Sequence, residues 1–139
     1  MNNKVTDLRI ALALLGSLPG QLIETDVEVD PMAELAGVYR HVGAGGTVMR
    51  PTKEGPAMIF NNVKGHPGAK VAIGLLASRK RVAALLDCDA RELGKKMCQS
   101  VANPVPPVLA EGPAPCQEVV HRATDPDFDL FKLVPAPTN

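Results

Sequence analysis

The sequence predicts a mixed α/β fold, with a small sheet of about four strands and flanking helices. Three observations carry that expectation. Two apolar runs, Ala57–Phe60 and Val71–Leu75, are joined by the glycine-bearing stretch Asn61–Gly68. Neither run alternates, which is the pattern of strands covered on both faces. Leu22–Val29 does alternate, with Ile23, Thr25, Val27 and Val29 on one side and Glu24, Asp26 and Glu28 on the other, the pattern of a half-buried strand. The stretches around these runs place apolar residues three and four apart, the helical spacing.

Thr6 or Asp7 caps the first helix, with Leu8, Leu12 and Leu15 on one stripe, Ala11 and Leu14 beside it, and Pro19-Gly20 at its end. Asp30-Pro31 opens the second: the carboxylate accepts from free amides and proline fits the first helical position. Leu35, Val38, Tyr39 and Val42 form its buried stripe, Arg40 and His41 fall in the last turn, and Gly43 ends it. Gly43-Ala44-Gly45-Gly46 follows a helix and precedes a strand. A phosphate-cradling loop has the opposite order, so these residues read as a chain reversal. Thr47–Gly55, with Arg50 and Lys53, reads as an exposed basic loop or one placed over a neighbouring site.

Ser78 caps a third helix over Arg79–Leu86. Its first turn carries Arg79, Lys80 and Arg81, which oppose the helix dipole. A solvated charge run explains them; the competing reading is an anionic group held against them. A fourth helix runs from Asp89 or Ala90 to Ala102, with Leu93, Met97 and Val101 on one face. Five prolines between Asn103 and Pro115 give a stiff linker, and Cys116–His121 reads as a further strand. Residues 1–102 are thus expected to form the α/β domain, 103–115 the linker, and 116–139 a strand with an extended lead-in to whatever follows. Leu133–Asn139 closes no element.

Bulk properties narrow the function. A chain of 139 residues suits one domain. A formal net charge of zero argues against nonspecific nucleic-acid binding, and 3% aromatic residues supply too few stacking platforms for a single-strand binder. Cys88, Cys98 and Cys116 are odd in number and lack C-x-x-C spacing, which fits a reducing cytoplasm better than a disulfide framework; Cys88 and Cys98 read as buried core thiols. Leu8–Leu18 is too short to span a bilayer and is broken by Arg9. His41, His66 and His121 are too far apart to read as a ligand set. Asp125, Asp127 and Asp129 alternate as calcium ligands do, but Leu130 and Ala136 occupy the positions an EF-hand gives to glycine and glutamate, so Asp125 and Asp129 read as turn caps. No catalytic set assembles from these residues.

Several stretches together resemble the UbiD-type decarboxylases. They are Asp7-Leu8-Arg9, Asp30-Pro31 before a helix beginning near Glu34, Gly55-Pro56-Ala57-Met58-Ile59-Phe60-Asn61-Asn62-Val63-Lys64-Gly65, Ala114-Pro115-Cys116-Gln117, and Asp125–Leu130 leading to Leu133-Val134-Pro135. Glu34–His41 followed by Gly43–Arg50 and Pro51-Thr52 is similar to the branch acting on hydroxylated benzoates such as protocatechuate or gallate. The resemblance implies a non-oxidative, reversible decarboxylation with prenylated flavin mononucleotide, a divalent metal (Mn or Mg) and potassium. The resemblance likewise implies a flavin prenyltransferase that supplies the cofactor, and an enzyme that is a cytoplasmic homo-oligomer.

It also implies an N-terminal α/β domain packed on a flavin-reductase-like β-barrel. The family's metal ligands and catalytic acid–base set match no residue of this sequence, so no catalytic, cofactor-binding or metal-binding residue is assigned. The expectation is a leading domain that is inactive alone. A stand-alone interaction or structural domain derived from the family is the alternative.

Overall fold

The computed structural model of the chain describes residues 5–44 and 54–138. Its elements are α1 (Leu8–Ser17), β1 (Leu22–Thr25), α2 (Glu34–Ala44), β2 (Ala57–Phe60), β3 (Val71–Ile73), α3 (Arg79–Leu85), α4 (Leu93–Ala102), a 3-10 turn at Pro115–Gln117 and α5 (Leu130–Leu133). The mixed α/β class is as expected, with three strands in the order β1-β2-β3 among the described residues.

β1 lies parallel to β2, and the connection between them contains α2. β3 pairs antiparallel with β2, Met58 opposite Ile73 and Phe60 opposite Val71. The central strand β2 is buried at all four positions, as its unbroken apolar run predicts. β3 is an edge strand and only half-buried, so it is not covered on both faces as its sequence suggested. It also stops before Leu75, because Gly74 turns the backbone to φ +77°.

Alternation along β2 sends Met58 and Phe60 to one face of the sheet and Ala57 and Ile59 to the other. On the first face Met58 and Phe60 join Val29, Leu35 and Val63 in the main core, with Tyr39, Val42, Val71 and Ile73 packed against them. α2 supplies this cover, although Val38 on its expected stripe stays 37% exposed. The second face is covered by α1, which buries Ala11 and Leu15 and leaves Leu8 exposed. Asp7 caps α1, its carboxylate accepting from Ile10 N at 2.9 Å.

Several boundaries differ from expectation, each for a local reason. The strand expected over Leu22–Val29 ends at Thr25, where the threonine hydroxyl accepts from Val27 N and turns the chain. Val27 is left exposed, and only Val29 returns to the sheet, through a single bridge to Val63.

α2 begins at Glu34 rather than at Pro31, because Asp30 Oδ1 accepts from Met32 N in a tight turn and Ala33 sits at φ +63°. Asp30 still ties to the helix, through Leu35 N donating to its carbonyl and its own N–H donating to Glu34 Oε2. α2 continues past Gly43, which was expected to end it, to Ala44. α4 starts at Leu93, after Asp89 has accepted from Arg91 N.

The expected strand Cys116–His121 is absent; Pro115 instead opens a 3-10 turn with no neighbour to pair. The end of the chain does close on something: Thr138 N donates to Pro31 O at 3.0 Å, and Ala33 N donates to Thr138 O at 2.9 Å. Among the described residues no helix is long and apolar enough to cross a membrane.

Candidate functional site

The conflict that the sequence places at the start of α3 resolves into a polar cluster. Ser78 caps α3, accepting from Arg81 N at 3.4 Å, and its hydroxyl donates to Glu54 Oε1. Arg81 turns inward and is 2% exposed, so it is no part of a solvated charge run. Its Nη1 donates to the Gly55 carbonyl at 2.7 Å, while its Nε has no partner among the described residues. Arg79 reaches along the surface to the Ala90 carbonyl at 3.2 Å.

Glu54 is an anion beside two of the three cations, Lys80 and Arg81. The Ser78 hydrogen bond holds its carboxyl below the usual carboxylate range, overcoming partial desolvation, with help from the charges of Lys80 and Arg81. It lies at the end of the stretch read as an exposed basic loop; the opposed helix dipole at Arg79–Arg81 signalled an anion without saying which residue supplies it.

The cluster fixes two ends of chain together. Gly55 N donates to Gly43 O at 2.8 Å. A β-carbon on Gly55 would lie 2.5 Å from Val42 O and 2.8 Å from Gly43 Cα, so glycine is needed for this approach. Gly43, read from sequence as a helix stop, is instead a packing position: a β-carbon there would lie 2.6 Å from the Tyr39 ring. Gly45, Gly46, Arg50 and Lys53 lie outside the described residues.

The other candidates remain apart. Asp30 and Lys64 form an ion pair at 2.9 Å that the sequence analysis did not identify. The Lys64 hydrogen bond, followed by the Met32 amide, holds the Asp30 carboxyl below its ordinary value, and Asp30 in turn raises Lys64. Asn61 Nδ2 bridges the acidic strand face, donating to Glu24 at 3.3 Å and Asp26 at 3.1 Å.

Cys98 is exposed and Cys88 only half-buried, which corrects the reading of these two as core thiols; Cys116 is exposed as well. Asp125 and Asp129 cap local turns as expected, accepting from Arg122 N and Phe131 N. Among the described residues no three His, Cys, Asp or Glu side chains converge as metal ligands.

A cleft of about 450 Å³ lies between α1 and the sheet, walled by Leu8, Leu12, Leu22, Ile59 and Ala72, with Lys70 and Glu24 as its charged lining. It has the size of a ligand site, but it lacks a nucleophile with a paired base. The geometry of the described residues is that of a positioning and packing module.

Comparison with known proteins identifies the module. The chain is 56% identical to the gallate decarboxylase of Lactiplantibacillus plantarum over 96% of its own length and 27% of that protein. It superposes on the apo 3,4-dihydroxybenzoic acid decarboxylase from Enterobacter cloacae with a TM-score of 0.83 and 60% identity, covering 98% of this chain and 28% of that one.

Two structures of the UbiD-class enzyme HmfF from Pelotomaculum thermopropionicum, an evolved dimeric form with prFMN and a form with FMN, give TM-scores of 0.70 and 0.71 at 31% and 30% identity. They cover 94% of this chain and 27% and 26% of those chains. The chain therefore spans little more than a quarter of the length of these relatives. Residues 17–101, more than half of the chain, match the model for the 3-octaprenyl-4-hydroxybenzoate carboxy-lyase N-terminal domain, and the chain belongs to that family, UbiD.

Proposed function

We propose that this chain is the N-terminal domain of a non-oxidative, reversible decarboxylase that releases CO2 from a hydroxylated benzoate such as 3,4-dihydroxybenzoate or gallate. The observation that carries this reading is the high identity, over nearly the whole chain, to proteins named for those two activities. Residues 1–102 are the α/β domain, 103–115 the connection, and 116–139 the lead-in to a β-barrel domain.

Prenylated FMN, a divalent metal (Mn or Mg) and potassium serve the complete enzyme, which we place in the cytoplasm as a homo-oligomer supplied by a flavin prenyltransferase. When bound, the flavin would supply an electron sink for the electron pair left behind as CO2 departs. The described residues do not fit the metal, since no three ligating side chains converge among them; the role proposed for this domain is structural. The Arg81–Gly55 bond and the Gly55–Gly43 bond tie the start of α3 and the end of α2 to the segment just before β2.

The test is production of the longer polypeptide with a flavin prenyltransferase, followed by measurement of CO2 release from 3,4-dihydroxybenzoate and from gallate. The expected result is release from at least one, with 13C-bicarbonate exchanging into the substrate, and none from residues 1–139 alone. A flavin-loaded full chain that decarboxylates neither acid would overturn the reading.

A further inference from the structure

Arg81 is a buried cation that is short of acceptors. It is 2% exposed, yet the bond from Nη1 to the Gly55 carbonyl is the one its guanidinium makes among the described residues. Nε is buried without a partner. A guanidinium carries several N–H donors, and buried polar groups are nearly always bonded. The deficit falls on the Nε–Nη2 edge, whose two parallel N–H groups match the two oxygens of a carboxylate.

Counter-charge is short as well. Glu54 accepts from the Ser78 hydroxyl and the Lys80 amide, and acts on Arg81 through its charge alone. Lys80 and Arg81 against this one carboxylate leave a net positive charge. Residues 1–4, 45–53 and 139 contain no Asp or Glu, so their side chains cannot supply the balance. Both cations line one pocket of about 260 Å³, together with Leu18, Pro19 and Gln21 from the turn between α1 and β1. That volume lies below the range of drug-sized ligands and has room for an anion of a few atoms.

We propose that this pocket binds a small planar oxyanion of single negative charge, a short carboxylate or bicarbonate, held by the free edge of Arg81 and the Lys80 ammonium. The two side chains make the site; α3 is too short for its amides to do so. A bound anion would satisfy the unpaired donors and offset the surplus charge in one step. Leu18 and Pro19 offer an apolar wall to the carbon end of a carboxylate.

Isothermal titration of the flavin-free full-length protein with sodium acetate and with sodium bicarbonate, at an ionic strength fixed by chloride, tests this. The expected result is a saturable site for at least one of them, with a Kd on the order of 1 mM. Acetate alone marks a short carboxylate as the ligand, and bicarbonate alone marks the inorganic ion. Lys80 is exposed, so Lys80→Met should leave the circular dichroism unchanged while weakening the site roughly tenfold, as loss of a bond to a charged group does. Lys80→Arg should retain it. The absence of a saturable site, or one that Lys80→Met leaves intact, would overturn the proposal. So would chloride competing as well as acetate, because charge alone would then be recognised rather than a planar pair of oxygens. The readout is binding, so a protein that decarboxylates neither acid but keeps the Lys80-dependent site would remove the decarboxylase reading and leave this one standing.

Discussion

The outer edge of the Tyr39 ring fills the space that a β-carbon on Gly74 would occupy. Tyr39 comes from α2 and Gly74 from the turn after β3, so this contact fixes the helix against the edge of the sheet. Gly74 also sits at φ +77°. Gly74→Ala should cost about 1–2 kcal/mol for the left-handed backbone and about 1–3 kcal/mol for the overlap with the ring. Gly68→Ala has a similar φ of +78° and no neighbour within 4 Å. It should show only the backbone part, about 1–2 kcal/mol. Denaturant midpoints of the two variants separate the effects, and adding Tyr39→Leu should recover part of the loss at Gly74 but none at Gly68.

Arg81 is expected to be structural. Arg81→Met keeps the volume but removes a charge-assisted bond to a backbone carbonyl, which should destabilise by about 1.5–3 kcal/mol. Arg81→Lys should recover little, because an ammonium does not reproduce the guanidinium fork. Gly55→Ala should be worse than either, since the new methyl meets Val42 O and Gly43 Cα, backbone atoms that cannot rotate away. If Arg81→Met unfolds at the wild-type midpoint, the Gly55 carbonyl has found another donor and Arg81 is not the anchor.

The cap of α1 is open to a simple check. Asp7→Ala leaves the Ile10 amide without its acceptor and should cost about 1 kcal/mol. Asp7→Ser should restore most of it. Equal midpoints for all three proteins would show that α1 is held by Ala11 and Leu15 alone.

The central strand was legible because Ala57–Phe60 is buried at every position, and a fully buried strand has a sequence signature of its own. The helix caps at Asp7 and Ser78 were legible for a similar reason, since capping is local. Long-range facts were not. Nothing near Arg81 in sequence says that Gly55 O lies in reach, or that Glu54 supplies the counter-charge. The length of β1 depended on a threonine hydroxyl competing with the ladder, and the start of α2 on one alanine at positive φ. α4 was read as an ordinary amphipathic helix, and its periodicity is real. Periodicity reports that a face wants burial; it does not report whether the burying surface lies within these residues. The candidate site was the least legible part, because its bonds join Arg81, Gly55 and Gly43, residues far apart in sequence.

The Asp30–Lys64 pair sets a pH dependence whose sign follows from the directions of the two shifts. Folding lowers the Asp30 pKa, so its contribution is present above the ordinary carboxylate value and is lost as pH falls through the lower, folded value. Folding raises the Lys64 pKa, so its contribution is present below the ordinary ammonium value and is lost as pH rises through the higher, folded one. Across neutral pH the pair is therefore constant. Asp30→Asn keeps an oxygen for the Met32 amide, bonded at 2.8 Å, but loses the attraction for Lys64. The stability gap between wild type and Asp30→Asn should be flat near neutrality and should close in acid, below the ordinary carboxylate range. It should also shrink in high salt, because the Lys64 side chain is 62% exposed and the pair is screened. Denaturant midpoints against pH at two ionic strengths measure both trends. No gap at neutral pH would mean that Asp30 acts only through its bond to Met32 N, which the asparagine oxygen preserves.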